Sequence, residues 1–279
     1  MKKILITGAG SYVGMSFENW IKQYGDYSVD TVDTIDSGWK NRDFSQYDVV
    51  FHVAGIAHIK ETKDNSRLYY DVNYKMAVDM AKKAKESGIK QFIFMSTMSV
   101  YGLISGEITK QTPANPKSNY GKSKLMAEEE ICKMADESFK ICILRPPMVY
   151  GKGCKGNFNG IVKLVDKLPF FPSVKNLRSQ IYIDNLSNFV KKAIDEELCG
   201  LFFPQNRHYM NTSDIAKWIS EKKGKKIFES NFLGLCVKAV QPFFSAAKKA
   251  FSTLIYKDTE MFDFDYCTVS EEESVKRSV

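Results

Sequence analysis

Lys3-Ile4-Leu5-Ile6-Thr7-Gly8-Ala9-Gly10-Ser11-Tyr12-Val13-Gly14 decides the fold. A short apolar run ends in a glycine-rich turn, and an apolar-periodic stretch from Tyr12 to Tyr24 follows it. This strand–turn–helix order gives the glycines a physical task. The backbone must turn sharply, approach a pyrophosphate closely and present free N–H groups at a helix N-terminus. Asp33 lies 19 residues beyond Gly14, at the end of a second strand-like run, Ser28–Asp33. A carboxylate there accepts hydrogen bonds from both hydroxyls of an adenosine ribose and repels a 2′-phosphate, which favours NAD over NADP. Incidental glycines in a plain strand-to-helix turn are the alternative. The preceding strand and Asp33 favour dinucleotide binding.

Outward from this turn, strands and helices alternate. Val49–Ala54, Gln91–Ser96 and Ile141–Arg145 read as buried strands, and 68–87 and Tyr120–Asp136 as helices. Strands that are apolar throughout, without polar alternation, expect cover on both faces. The fold class is therefore α/β, a Rossmann-type doubly wound parallel sheet. After Gly151 the texture changes to glycine and proline loops, helices near Asn185–Glu196 and Ser213–Lys223, and an aromatic-rich tail to Tyr266. The expected division is an NAD-binding domain over residues 1–152, with a later strand and helix contribution near 178–197, and a smaller substrate-binding lobe over 153–279.

The chain has 279 residues, 44% hydrophobic and 26% charged, which is enough apolar material for a core. No apolar run approaches the roughly 18–20 residues that span a bilayer, and the apolar start after Lys2 and Lys3 is too short for a signal peptide. A cytoplasmic chain is expected. The formal charge of +7 comes without a block of five or six like charges, so nucleic acid is not the expected partner; an anionic small molecule suits it. Six cysteines stand far apart with no C-x-x-C pair, and three histidines are scattered, so no metal site is expected.

Tyr120 and Lys124 are one helical turn apart on one face. A nearby ammonium stabilises phenolate and lowers a tyrosine pKa from about 10 toward neutrality. Such a tyrosine moves a proton at a sugar hydroxyl while hydride passes to or from a nicotinamide. Upstream, Met95-Ser96-Thr97-Met98-Ser99-Val100-Tyr101-Gly102 ends a strand with hydroxyls, where a parallel sheet faces its ligand crevice.

In this order the motifs resemble an extended short-chain dehydrogenase/reductase of the NAD-dependent epimerase/dehydratase family. The likeness rests on Gly8 to Gly14, Asp33, Asp43-Phe44 near an expected adenine pocket, Ala54-Gly55, the hydroxyl run, the Tyr120/Lys124 pair and Leu144-Arg145-Pro146-Pro147-Met148-Val149-Tyr150-Gly151. It is clear over about the first 190 residues and weaker beyond. The resemblance implies a cofactor site of Gly8, Gly10, Ser11, Tyr12, Val13, Gly14, Asp33, Asp43, Phe44, Ala54, Gly55, Tyr120 and Lys124. It implies that Thr97 hydrogen-bonds the sugar hydroxyl, that Tyr120 is the acid/base and that Lys124 also holds the nicotinamide ribose. Asn157 and Arg178 fall on the family's sugar-diphosphate contacts, where a guanidinium fork fits phosphate oxygens. The implied reaction is 4-epimerisation of a UDP-hexose or UDP-N-acetylhexosamine through a transient 4-keto sugar. Reduction of a UDP-4-keto-6-deoxy-N-acetylhexosamine in polysaccharide biosynthesis would use the same residues, and a non-catalytic NAD-binding module is the reading from another class. Relatives that dimerise through two helices, one carrying the Tyr–Lys pair, imply a homodimer.

Three positions depart from the family pattern. Ser11 stands where glycine is usual. Met98 replaces the acidic residue of sugar dehydratases, which argues against dehydration. Met148 replaces an asparagine, and the Arg-Pro-Pro form with the later Gly-Asn-Phe resembles a branch that handles UDP-N-acetylhexosamines. His52, inside a strand, reads as a core histidine, and His58 as a candidate lining of the substrate crevice. The tail from Phe232 to Phe251 mixes apolar residues with Lys238, Lys248 and Lys249. It suits a helix pair broken near Pro242 and packed on the substrate lobe, or peripheral contact with a membrane.

Overall fold

A computed structural model describes residues 1–57, 59, 61–62, 64–259 and 264–279. In chain order the elements are β1 (Lys2–Thr7), α1 (Tyr12–Ile21), β2 (Tyr27–Val32), β3 (Val49–His52), α2 (Ser66–Tyr69), a π-helical segment (Tyr70–Met76), α3 (Ala77–Glu86), β4 (Gln91–Met95), β5 (Gly106–Ile108), α4 (Asn119–Cys132) and β6 (Lys140–Leu144). There follow β7 (Met148–Tyr150), α5 (Asn157–Lys167), β8 (Phe170–Pro172), β9 (Gln180–Tyr182), α6 (Ile183–Asp195), β10 (Gly200–Phe202), α7 (Thr212–Lys222), β11 (Phe228–Ser230), α8 (Asn231–Val240), α9 (Ser245–Phe251), β12 (Leu254–Tyr256) and α10 (Glu271–Arg277).

Six parallel strands form the central sheet in the order β10-β6-β4-β3-β1-β2. The chain runs outward from β1 to β2, then crosses back to β3 on the other side of β1. That reversal opens a crevice above the carboxyl ends of β1 and β3, where doubly wound sheets take their ligands. β3 and β4 are buried along their whole length, as the unbroken apolar reading expects. One face carries Leu5, Val50, Phe92, Met80 and Ile131. The other carries Ile4, Ile6, Phe17, Phe51 and Phe189, and its core continues through Ile215, Ile219 and Val275 of the carboxyl-terminal third. Residues 178–197 supply helix α6 to that face. The strand they contain, β9, pairs with β7 outside the main sheet, and the sixth strand of the main sheet comes just afterwards as β10.

Helix 68–87 of the sequence reading is continuous but not uniform. It loosens to π-helical turns over Tyr70–Met76, the segment that holds Asn73. Such turns concentrate at functional sites.

Candidate active site

The glycine turn is built by contacts that only glycine permits. Gly8 has φ +92°, and an added Cβ would lie 2.8 Å from Ala54 Cα. Its N–H and that of Ala9 donate to the Val32 carbonyl at 2.9 and 3.2 Å, which fixes the turn beside the end of β2. Gly10 has φ +77° and faces open space. Ser11 answers the departure noted above. It is the N-cap of α1, and its Oγ accepts from the Gly14 N–H at 3.2 Å. A Cβ at Gly14 would come within 3.0 Å of Val53 and 3.1 Å of Ile6, so this glycine lets the helix lie close on the sheet. The Tyr12 ring turns inward until its hydroxyl would meet a Cβ at Gly151 at 2.5 Å, and Val13 packs on the core. Both side chains are half-buried against the core.

Asp33 follows β2 and is exposed; one oxygen accepts from the Ile35 N–H at 2.9 Å. Asp43 is exposed and accepts from the Ser45 N–H at 2.8 Å. Phe44 is completely buried with Lys83 Nζ 4.9 Å above its ring. Its side chain fills the core, and of this pair only Asp43 is exposed.

Beyond β3, Gly55 is exposed and stands against α4. A Cβ there would lie 2.9 Å from Asn73 Oδ1 and 3.2 Å from Lys124 Nζ. Asn73, fully buried, accepts from the Ile56 N–H at 2.7 Å and donates to the Ile56 carbonyl at 3.0 Å and to Ser123 Oγ at 3.2 Å. It ties the crevice loop to α4. An asparagine inside an apolar helical stretch was the available sequence signal, because asparagine is a poor helix former.

Helix α4 is capped by Ser118, whose Oγ accepts from the Gly121 N–H at 3.1 Å. Glu61 adds a second cap, accepting from the Asn119 and Tyr120 N–H groups, each at 3.1 Å. Tyr120, half-buried, and Thr97 at the end of β4 are hydrogen-bonded partners. Burial raises the Tyr120 pKa, the Thr97 bond works against that rise, and Tyr69 adds to it. The lysine-induced lowering expected from spacing is not what the structure shows. Lys124 Nζ instead donates to the Met95 carbonyl at 2.8 Å and lies 4.6 Å from the Phe94 ring centroid. Burial pushes its pKa down to about 8, against the opposing pull of Glu128.

Glu128 extends the Tyr120/Lys124 face by one more turn. Arg145 Nε donates to both of its carboxylate oxygens at 3.1 Å, and Ser96 Oγ donates to one of them. Arg145 also donates to the Tyr101 hydroxyl at 2.8 Å. The i+4 spacing after Lys124 was the signal for Glu128. Its partner lies 17 residues further on, where no local pattern points. His52 is a core histidine, with Nδ1 2.7 Å from Thr7 Oγ1 and its ring stacked near Phe92 and Phe94. Burial holds its pKa well below the usual value. His58 lies outside the described residues.

The diphosphate candidates stand apart from this cluster. Asn157 is exposed at the start of α5. Arg178 is half-buried, and its guanidinium donates to the Ser252 carbonyl at 2.8 Å. Among the described residues no hydrogen bond joins either to Thr97, Tyr120 or Lys124. Among the described residues there is also no cluster of three or more His, Cys, Asp or Glu side chains placed to hold a metal.

A parallel doubly wound sheet, a glycine turn at its switch point and a Thr–Tyr–Lys cluster at the ends of β3 and β4 define a dinucleotide-fold oxidoreductase class of protein. Within it, the chain belongs to the NAD dependent epimerase/dehydratase family, whose model matches residues 4–197. It is 31% identical to a UDP-glucose 4-epimerase of Vibrio cholerae over 243 residues, covering 77% of this chain and 74% of that one. It is 25% identical over 244 residues to an N-acetyl-α-D-glucosaminyl-diphospho-ditrans,octacis-undecaprenol 4-epimerase of Escherichia coli, covering 80% and 73%. Among solved structures, UDP-glucuronic acid 4-epimerase of Bacillus cereus in complex with NAD shares the fold with a TM-score of 0.75 at 20% identity, over 99% of this chain and 97% of that one.

Proposed function

We propose that this chain is an NAD-dependent 4-epimerase of a nucleotide sugar, a UDP-hexose or UDP-N-acetylhexosamine. One observation carries the reading: a continuous line of contacts along the carboxyl edge of the sheet. Gly8 touches Ala54, the adjoining Gly55 stands against Lys124, Lys124 binds the carbonyl of Met95, and Thr97 two residues on bonds Tyr120. Phosphate-turn chemistry and proton-transfer chemistry thus share one crevice.

The residues present fit a dinucleotide. The backbone at Gly10 faces open space, and Asp33 offers an exposed carboxylate at the end of β2. In this reading the turn from Gly8 to Gly14 cradles the pyrophosphate, Asp33 accepts the adenosine ribose hydroxyls, Asp43 lies by the adenine, and Lys124 donates to the second ribose. NAD, when bound, supplies a reversible acceptor for the C4 hydride. Tyr120, as phenolate, takes the C4 hydroxyl proton and as phenol later returns it, and Thr97, whose bond favours the phenolate, orients that hydroxyl. Arg178 and Asn157 anchor the diphosphate while the 4-keto sugar turns over. The division at residue 152 into a cofactor domain and a substrate lobe belongs to the same reading, as does pairing of two copies through the Tyr120–Lys124 helix, which sedimentation velocity tests.

The deciding experiment incubates the purified protein with NAD and UDP-glucose, UDP-galactose or their N-acetyl counterparts. It follows 340 nm absorbance and resolves products by NMR. A C4 epimer without net cofactor turnover is the expected result. In a parallel reaction supplied with NADH and a UDP-4-keto sugar, NADH consumption without any epimer in the first would replace epimerisation by reduction, and no conversion in either would end both.

A further inference from the structure

We propose that the face formed by α8, α9 and the Phe243-Phe244 corner between them docks on the surface of an anionic lipid bilayer. Helix α8 reads Phe232, Leu233, Leu235, Cys236, Val237, Ala239 and Val240, apolar around most of its circumference. A helix of that kind is ordinarily enclosed by protein. Here only Gly234 is buried. A Cβ at that position would lie 2.1 Å from the Ser173 carbonyl oxygen, so α8 sits on the lobe along its glycine side. Leu233 and Val237 are half-buried, and the outer side is open: Phe232 is 73% exposed, Leu235 66%, Phe243 82% and Phe244 61%. Single exposed apolar residues are ordinary, but three phenylalanines and a leucine within thirteen residues are not.

Charge selects the occupant. From Ser230 to Lys257 the chain holds Lys238, Lys248, Lys249 and Lys257 and no aspartate or glutamate. Lys257 is paired with Glu107 at 2.9 Å. Among the described residues no carboxylate pairs with Lys238, Lys248 or Lys249. A two-fold contact with a second copy through this face would set lysine against lysine with no carboxylate between. Anionic headgroups supply the missing charge, while aromatic rings settle at headgroup level. No helix among the described residues is long and apolar enough to cross a membrane, so the contact is one of lying on the surface. Ser252, which follows α9, accepts from Arg178, so docking carries that guanidinium toward the membrane surface. The inference does not depend on the reaction proposed above.

The test uses the full chain and sedimentation with vesicles of phosphatidylcholine alone or with one third phosphatidylglycerol. Uptake by the anionic vesicles only, lost at high salt, is expected. Replacing Lys238, Lys248 and Lys249 together by glutamine should weaken uptake about a hundredfold, at roughly fivefold per lysine. The pair Phe243→Ser and Phe244→Ser should abolish it. Both variants should keep wild-type melting and sugar turnover. Equal uptake by neutral vesicles, or none by either, would overturn the proposal. So would a concentration-dependent dimer in sedimentation velocity that the serine pair dissolves, since the face would then belong to a second copy.

Discussion

Arg145 at the end of β6 clasps Glu128 of α4 with Nε 3.1 Å from each carboxylate oxygen, and both residues are buried. The pair fixes the rotation of the helix that presents Tyr120 and Lys124. Ser96, one residue before Thr97, is bonded to the same carboxylate, so the helix and the strand-end hydroxyls share one anchor.

Removing one partner leaves a buried charge. Glu128→Leu should therefore cost about 3–5 kcal/mol of stability, and the double variant with Arg145→Met clearly less. Urea unfolding of the two singles and the double measures this. Equal losses in single and double variants would show that the ion pair is not what holds the helix.

Tyr120→Phe should lower kcat about 10²–10⁴-fold with a stable fold, the range for loss of an acid/base group. Thr97→Val removes the bond that counters the rise in the Tyr120 pKa. Its kcat/KM profile should shift to higher pH, with a loss on the order of 10–100-fold at neutrality, as for one hydrogen bond to a charged oxygen. An unshifted profile would separate Thr97 from the proton transfer.

Lys124 supplies a pH signature of stability. Its folded pKa of about 8 lies below the unfolded value of about 10.4. Between these values the unfolded chain binds the additional proton, so stability rises with pH across that window, and below it the buried charge disfavours the fold throughout. Lys124→Met should be the more stable protein at pH 7, by on the order of 3 kcal/mol at most, with the advantage gone above pH 10. Paired urea titrations across this range check the sign.

The two glycines of the turn should respond differently. Gly10→Ala meets open space and carries only the strain of a positive φ, about 1–2 kcal/mol. Gly8→Ala carries that strain and also drives a Cβ to 2.8 Å from the backbone of Ala54. It should melt lower and lose NAD binding. Calorimetry and NAD titration of both variants decide, and equal behaviour would contradict the close approach.

Asp33→Ser should bring NADP affinity within about tenfold of NAD affinity, since it removes the like charge that a 2′-phosphate would meet. Fluorescence titration with both dinucleotides reads this. A preference left unchanged would place the ribose elsewhere.

What the sequence determined is local. Periodicity gave the strands and helices their identity, because a strand buried on two faces must be apolar along its run, as Val49 to Phe51 is. Spacing set Tyr120 and Lys124 on one face, because four residues make about one helical turn. The glycines and Asp33 were legible because a phosphate turn and a ribose carboxylate occupy fixed places on one βαβ unit. Tertiary structure decided where those groups point. Lys124 turns to the Met95 carbonyl because burial leaves its ammonium that acceptor, and the Tyr120 pKa follows burial and Thr97 rather than the lysine. Arg145 finds Glu128, Asn73 finds Ser123 and β10 closes the sheet through contacts between segments far apart in the chain. The tail shows the same division. Its apolar and basic residues are plain in the sequence, but only the packing of Gly234 on Ser173 determines which side of α8 is covered and which is left to water.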